Sequence, residues 1–337
     1  MITTRPATLD RARDAVEPAL RHAVERLSPE LQLPASYHLG WTDAAGKPVE
    51  GGAGKGVRGA LALLSAEAVG ADAAVAVPAA VAIELVHNFS LVHDDVIDHD
   101  VERRHRPTVW AVYGVDAAVI AGDSLLTLAF QVLLDPMAPN GAAAASALAV
   151  ATQGMIAGQA LDMAYERRAA VSVDECLAME AGKTAALLGC AASLGAISAG
   201  ADDRAVGALR RYGEHVGLAF QAVDDVLGIW GRAEVTGKPV GSDLRANKKS
   251  LPISAALARS NGGGARLRGL LEAAATDERA VAEASDLIES WHGRADAEAL
   301  ARTHLDAALG ALDTAALVPE AARELADLAR FVVERDS

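Results

Sequence analysis

The chain is short of aromatic residues, of cysteine and of net positive charge, and each shortage excludes something. Aromatics are only 4% of 337 residues, β-branched runs are short and strict apolar–polar alternation is nearly absent, which argues against a sheet-built fold. The only two cysteines, Cys176 and Cys190, cannot make a disulfide framework and point to a reducing compartment. Lys and Arg number 31 against 45 Asp and Glu, for a net charge of −14 with no basic stripe, so nucleic acid is a poor partner. No continuous apolar run follows the N-terminus: Thr8–Leu27 mixes charged and apolar residues at helical spacing, unlike a secretory peptide. The longest charge-free stretch, around Pro139 to Leu161, is alanine-rich and carries Gln153 and Gln159. It reads as a buried helix rather than a membrane span, so a soluble, cytoplasmic protein is expected.

What the chain has in abundance is alanine and leucine, within 51% hydrophobic and 23% charged residues, enough for a large core and favourable to helix. Helical periodicity predicts helices over Thr8–Leu27, Gly56–Val69, Val77–Asp98, Val115–Leu134, Ala142–Ala169 and Val173–Ser193. Others are predicted over Asp203–Gly228, Lys249–Ala258, Ala280–His292, Asp296–Leu309 and Pro319–Glu334. Pro29, Pro34 and Pro48, with several glycines, predict an early loop, and Asn261–Gly264 a second. No repeat and no composition shift divides the chain, so one helical domain over 1–337 is expected.

Two acidic clusters stand out. In Leu91-Val-His-Asp94-Asp95-Val-Ile-Asp98, Asp94 and Asp98 fall one helical turn apart on one face, with Asp95 about 100° round the axis. Three carboxylates at the end of an apolar helix repel one another and the negative end of the helix dipole. A solvated acidic helix end is the plain reading of such a cluster alone; a bound cation is the other, and hard oxygen donors suit Mg²⁺. The form recurs in Phe220-Gln221-Ala-Val-Asp224-Asp225-Val-Leu-Gly228. Two such helices facing one another could hold metal between them.

Basic residues surround these clusters in sequence. Arg103-Arg104-His105-Arg106 follows the first, and guanidinium forks suit bidentate phosphate contacts, although they could equally just neutralise the aspartates. Gly54-Lys55-Gly-Val-Arg58 opens a helix, a position favourable to anions, but it lacks the glycine and the Ser or Thr of a P-loop. Lys183-Thr184 lies in an apolar helix, Lys238 in Gly237-Lys-Pro-Val-Gly-Ser-Asp243, and Lys248-Lys249 precede Ser250-Leu-Pro252.

The ordered series Gly54-Lys55-x-x-Arg58, Glu84-Leu-Val-His87, Asp94-Asp95-x-x-Asp98, Arg103-Arg104, Lys183-Thr184, Phe220-Gln221-x-x-Asp224-Asp225, Gly237-Lys238 and Asp243 resembles the trans-isoprenyl diphosphate synthases, or polyprenyl synthetases. It runs from Lys55 to Pro252. The resemblance implies an all-α isoprenoid-synthase helical bundle with a deep central cavity, usually a homodimer. It implies that Asp94, Asp95, Asp98, Asp224, Asp225 and Asp243 hold Mg²⁺, three ions with the allylic diphosphate bound. Arg103, Lys183, Lys238 and Lys248 would bind that diphosphate, and Lys55, Arg58, His87 and Arg104 isopentenyl diphosphate. The catalytic set would be Lys183, Thr184, Gln221 and Arg103, with Thr184 and Gln221 steadying the carbocation.

The allylic partner would be dimethylallyl, geranyl or farnesyl diphosphate. The departures are Gly228 in place of the last aspartate of the second motif, Arg232 at an often acidic position, Gly59 for a proline, and His105 for a glycine. Phe89, with Ser90 beside it, lies five residues before Asp94, about 7.5 Å along the axis. Family members with a bulky ring there stop short, and bacterial farnesyl-type enzymes carry two extra residues in the first motif that Asp94–Asp98 lacks. Geranylgeranyl diphosphate (C20) is therefore the expected product. Farnesyl diphosphate (C15), a terpene cyclase and a non-catalytic subunit are the alternatives.

Overall fold

The computed structural model describes residues 6–49, 54, 56–232, 239–260 and 263–333. Helix α1 (Ala7–Val24) buries Leu9, Ala12, Val16 and Leu20 along one stripe, the 3.6-residue spacing seen in the sequence. Helices α3 (Val57–Ala68) and α4 (Val77–Ile97) are buried nearly all round, and so form the middle of the molecule. After a hairpin of β1 (Glu102–Arg103) and β2 (Arg106–Pro107) come α5 (Val109–Tyr113), α6 (Val115–Leu133) and α7 (Gly141–Glu166). Next are α8 (Val173–Glu180), a π-helical turn (Ala181–Ala185), α9 (Ala186–Ser198) and the long α10 (Asp203–Trp230).

α4 packs on α6, and α9 is flanked by α3, α7 and α10. Alanine and leucine fill the joint core of these helices. The remaining helices are α11 (Ser242–Arg245), α12 (Leu251–Ala258), α13 (Gly264–Ala273), α14 (Glu278–Ser290), α15 (Gly293–Leu312) and α16 (Pro319–Val333). α15 lies along α10, and the buried hydroxyl of Tyr212 donates to the Leu325 carbonyl at 2.6 Å, tying α16 to α10.

Several sequence expectations need correcting. The proline-punctuated early segment contains a helix, α2 (Pro29–His38), with Pro29 in its first turn, where a missing N–H costs nothing, and Pro34 inside it. A helix also follows the glycine break, at α13. The predicted continuous helix from Val173 is interrupted by the π turn, an irregularity that periodicity cannot show. The stretch expected to be a buried helix, now α7, is only half-buried, and Val150 is 73% exposed. The expectation of no membrane span has no support in length and composition: Ala73–Ile97, α6, α7 and Val173–Ser198 are each long and apolar enough to cross a membrane.

Candidate active site

α4 carries the first acidic cluster to its C-terminal end, where Asp98 is the capping residue. Asp94 is pushed up to about 6, foremost by burial; Lys183 opposes this and Asp98 reinforces it. Asp95 is buried, accepts a hydrogen bond from Arg103 Nε at 2.7 Å, and has its Oδ2 buried without a partner.

The second cluster sits on α10. Asp224 is exposed, whereas Asp225 is buried. Asp225 accepts from the Leu251 N–H at 2.8 Å and from Gln221 Nε2 at 3.0 Å. Its carboxyl is raised to about 6, by burial first and then by Asp243. The Thr184 hydroxyl donates to Gln221 Oε1 at 3.0 Å. Behind Asp225 lies Glu180, buried and held far above the ordinary carboxylate range by burial and by Asp225. Glu180 therefore keeps its proton, which lets two carboxyl groups lie together in the core. Cys176 completes this nest, with Sγ 3.3 Å from Glu180 Oε1 and 3.2 Å from the Lys249 carbonyl.

Two lysines connect the clusters. Lys183 projects from the π turn, pairs with Asp162 of α7 and offsets the burial of Asp94. Burial works against the charge on Lys248, but Asp243, Asp162, Asp98 and Asp225 outweigh it and raise its pKa. Asp98 of the first motif and Asp225 of the second thus both act on one ammonium, which brings the two clusters into one electrostatic neighbourhood. The approach of α7 to the π turn depends on Gly158, where a Cβ would lie 2.1 Å from the Lys183 backbone nitrogen.

The basic flank is built by the hairpin. Its two-residue turn, Arg104-His105, has φ of +53° and +60°, the left-handed pair that this turn type requires and that glycine adopts more easily. Strain of this kind persists where the surroundings hold it. The turn sends Arg103 to Asp95 and lays the Arg104 guanidinium against Gly54. Burial lowers the pKa of Arg58, with Glu84 opposing and Arg104 reinforcing. Glu84 Oε1 accepts the Gly59 N–H at 2.9 Å. His87 is driven well below its ordinary pKa by burial, then by Arg58 and Arg104, so it is neutral. Lys55 and Lys238 lie outside the described residues.

Along α4 toward the core, Phe89 meets His93 edge-on at 4.8 Å. The Ser90 hydroxyl donates back to the His87 carbonyl at 2.8 Å. Sequence reasoning missed Asp162, Glu180 and His38 as members of this neighbourhood, and named Glu84 only within the Glu84-Leu-Val-His87 series without giving it a role. His38, beside Arg103 and Arg104, is lowered to about 3 by burial and those charges. A carboxylate inside an otherwise apolar helix marks Glu84, whereas no such signal marks Glu180, since α8 also carries Asp174 and Glu175.

The donors fit magnesium. They are hard carboxylate oxygens, Asp94 and Asp225 are each forced up by burial and like charge, and Asp95 Oδ2 is orphaned. Asp94, Asp95, Asp98, Asp224, Asp225 and Asp243 would hold such ions, whose charge would neutralise a bound diphosphate.

A polyprenyl synthetase family model matches residues 41–288. The chain is 48% identical over 332 residues to a (2E,6E)-farnesyl diphosphate synthase of Mycobacterium tuberculosis, covering 97% of this chain and 92% of that protein. It is 42% identical to a geranylgeranyl diphosphate synthase of the same species, covering 93% and 90%. Among solved structures, a polyprenyl synthetase from Streptomyces coelicolor superposes with a TM-score of 0.92 at 48% identity, covering 97% of this chain and 99% of that one. The chain belongs to the polyprenyl synthetase family, that of the trans-isoprenyl diphosphate synthases, and is a prenyltransferase.

Proposed function

We propose that this prenyltransferase condenses isopentenyl diphosphate head-to-tail (1'-4) with an allylic diphosphate, either dimethylallyl, geranyl or farnesyl, and releases geranylgeranyl diphosphate (C20). One observation carries the two-substrate reading. Carboxylates of both motifs act on the ammonium of Lys248, and Lys183 acts on Asp94, while Arg58 and Arg104, with neutral His87 near them, form a second, cationic group. The first is suited to a diphosphate bridged by metal, the second to a diphosphate bound by protein cations alone.

In this reading Arg103, Lys183, Lys238 and Lys248 grip the allylic diphosphate, and Lys55, Arg58, His87 and Arg104 grip isopentenyl diphosphate. Three Mg²⁺ ions held by the aspartates would neutralise the leaving group. The allylic C–O bond breaks and its electron pair leaves with pyrophosphate. The isopentenyl double bond then supplies the electrons of the new C–C bond, and a proton passes to pyrophosphate. Thr184 and Gln221 aim oxygen dipoles at the carbocation, an electrostatic contribution that needs no nucleophile.

Phe89, wedged against His93, is the floor proposed to stop the chain at C20. A C15 product is the second reading, favoured by the mycobacterial farnesyl diphosphate synthase at 48% identity. We further infer one domain over 1–337 and a homodimer closed through α6 and α7, where Val119, Ile120, Val150 and Ile156 expose apolar surface. A cytoplasmic location accords with the two buried free cysteines.

Kinetics separate the two anion groups. Arg58→Ala is expected to raise KM for isopentenyl diphosphate and Lys183→Ala that for the allylic substrate. The same KM rising in both variants contradicts the assignment.

A further inference from the structure

Helix α8 brings a thiol and a carboxyl group to the back of the second acidic motif. A capping box of Ser172 and Glu175 fixes its start, and Cys176 and Glu180, four residues apart, share one side of it. That side meets α10 at Asp225 and the backbone just before α12. One ligand atom each from Cys176, Glu180 and Asp225 lies within 4.8 Å of the other two. Cys176 Sγ is 3.3 Å from Glu180 Oε1 and 3.2 Å from the Lys249 carbonyl oxygen.

Three features set this nest apart from a solvated acidic cluster. It is enclosed: Cys176, Glu180 and Asp225 are all buried, and Cys176 packs in one apolar cluster with Tyr165, Met179, Val226 and Leu251. Its spacing fits a metal: the 3.3 Å from Sγ to Oε1 is near the ~3.5 Å edge of a tetrahedron with Zn–S of about 2.3 Å and Zn–O of about 2.0 Å. It is short of donors: Glu180 Oε2 is buried and meets no hydrogen-bond donor among the described residues. Acceptors crowded together in a dry core are satisfied by a proton or by a cation. Asp225 is already oriented, by Gln221 Nε2 and the Leu251 N–H, as ligating carboxylates are by their outer contacts.

We propose that Cys176, Glu180 and Asp225, with the Lys249 carbonyl, form a site for a thiophilic divalent cation such as Zn²⁺, and that an ion there inhibits the enzyme. The sulfur donor distinguishes this site from the catalytic aspartates, whose oxygens suit Mg²⁺. On binding, the protons of the Cys176 thiol and the Glu180 carboxyl pass to solvent as the metal–sulfur and metal–oxygen bonds form. Asp225 belongs to both sites, so an ion on its buried side draws its carboxylate away from Mg²⁺ and the diphosphate. The inhibitory role rests on the reading of Asp225 as a Mg²⁺ ligand; the binding does not.

The test uses the full chain and Co²⁺ as a spectroscopic stand-in for Zn²⁺. Cobalt bound to a thiolate shows a ligand-to-metal charge-transfer band that carboxylates alone do not give. The wild type is expected to show this band, as is Cys190→Ala, which lacks the other free cysteine, whereas Cys176→Ala loses it. Glu180→Gln should weaken Zn²⁺ affinity by about tenfold or more in calorimetry. Added over saturating Mg²⁺, Zn²⁺ should suppress wild-type turnover far more than that of Cys176→Ala, each measured against its own zinc-free rate. No band, or a band that survives in Cys176→Ala, overturns the site. Should Cys176→Ala not fold, Cys176→Ser decides in its place. A band without inhibition, or inhibition equal in the wild type and Cys176→Ala, overturns the inhibitory role. A wild type without Mg²⁺-dependent turnover sinks the reading of Asp225 instead, and the band still decides the site.

Discussion

The hydroxyl of Thr184 donates to Gln221 Oε1 at 3.0 Å, and this bond fixes which way round the Gln221 amide sits. Its nitrogen is thereby turned to Asp225, which it reaches at 3.0 Å. A residue of the π turn thus helps to hold a carboxylate of the second motif, across two helices. Replacing Thr184 by Val keeps the shape and removes the donor. The fold is expected to lose about 1 kcal/mol and kcat to fall at least about tenfold, while Thr184→Ser stays near wild type. Steady-state kinetics with a thermal melt on each variant check this.

Protonation should oppose the metal. Asp94 and Asp225 are both raised to about 6 in the fold, against about 3.9 when unfolded. A carboxyl that holds its proton better when folded adds stability as pH falls from 6 toward 4 and withdraws it as pH rises. Without metal, these two groups therefore favour the fold on the acid side. Mg²⁺ requires the ionised form, so its stabilisation of the protein is expected to be larger at about pH 8 than at about pH 5. Melts with and without Mg²⁺ at both pH values read the difference directly.

Asp94→Asn separates stability from function. The amide removes the cost of burying charge, so the metal-free variant should be more stable at about pH 8, by on the order of 2 kcal/mol. Its turnover should be nearly abolished. A variant both less stable and fully active would contradict the placement of Asp94.

Gly158→Ala drives a methyl into the Lys183 backbone. The expected cost is about 1–3 kcal/mol, with turnover falling further than stability because Lys183 and Thr184 both ride on that turn. Chemical denaturation and kinetics on the same preparation compare the two losses.

Phe89→Ala should cost about 3–5 kcal/mol and lengthen the product. An unchanged product spectrum in a folded variant removes Phe89 as the floor of the cavity.

Much of this was legible in the sequence because helices announce themselves by spacing. Asp94 and Asp98 sit one turn apart, and α10 carries Asp224 and Asp225 as the pattern required. What was hidden depends on contacts between distant segments. Nothing local reveals that Lys183 meets Asp162 or that Glu180 backs Asp225, since each pair is made by helices packing together. The π turn escaped because a shift of one residue per turn leaves composition unchanged. Helix α2 escaped because proline reads as a break, although the first turn of a helix tolerates it.

The most direct test of the account is to incubate the purified chain with Mg²⁺, labelled isopentenyl diphosphate and each allylic diphosphate in turn, and to measure the length of the product. Mg²⁺-dependent incorporation ending at C20 is the expected result. No incorporation from any primer would contradict prenyl transfer itself, and a product ending at C15 would contradict the assignment of Phe89 as a C20 floor.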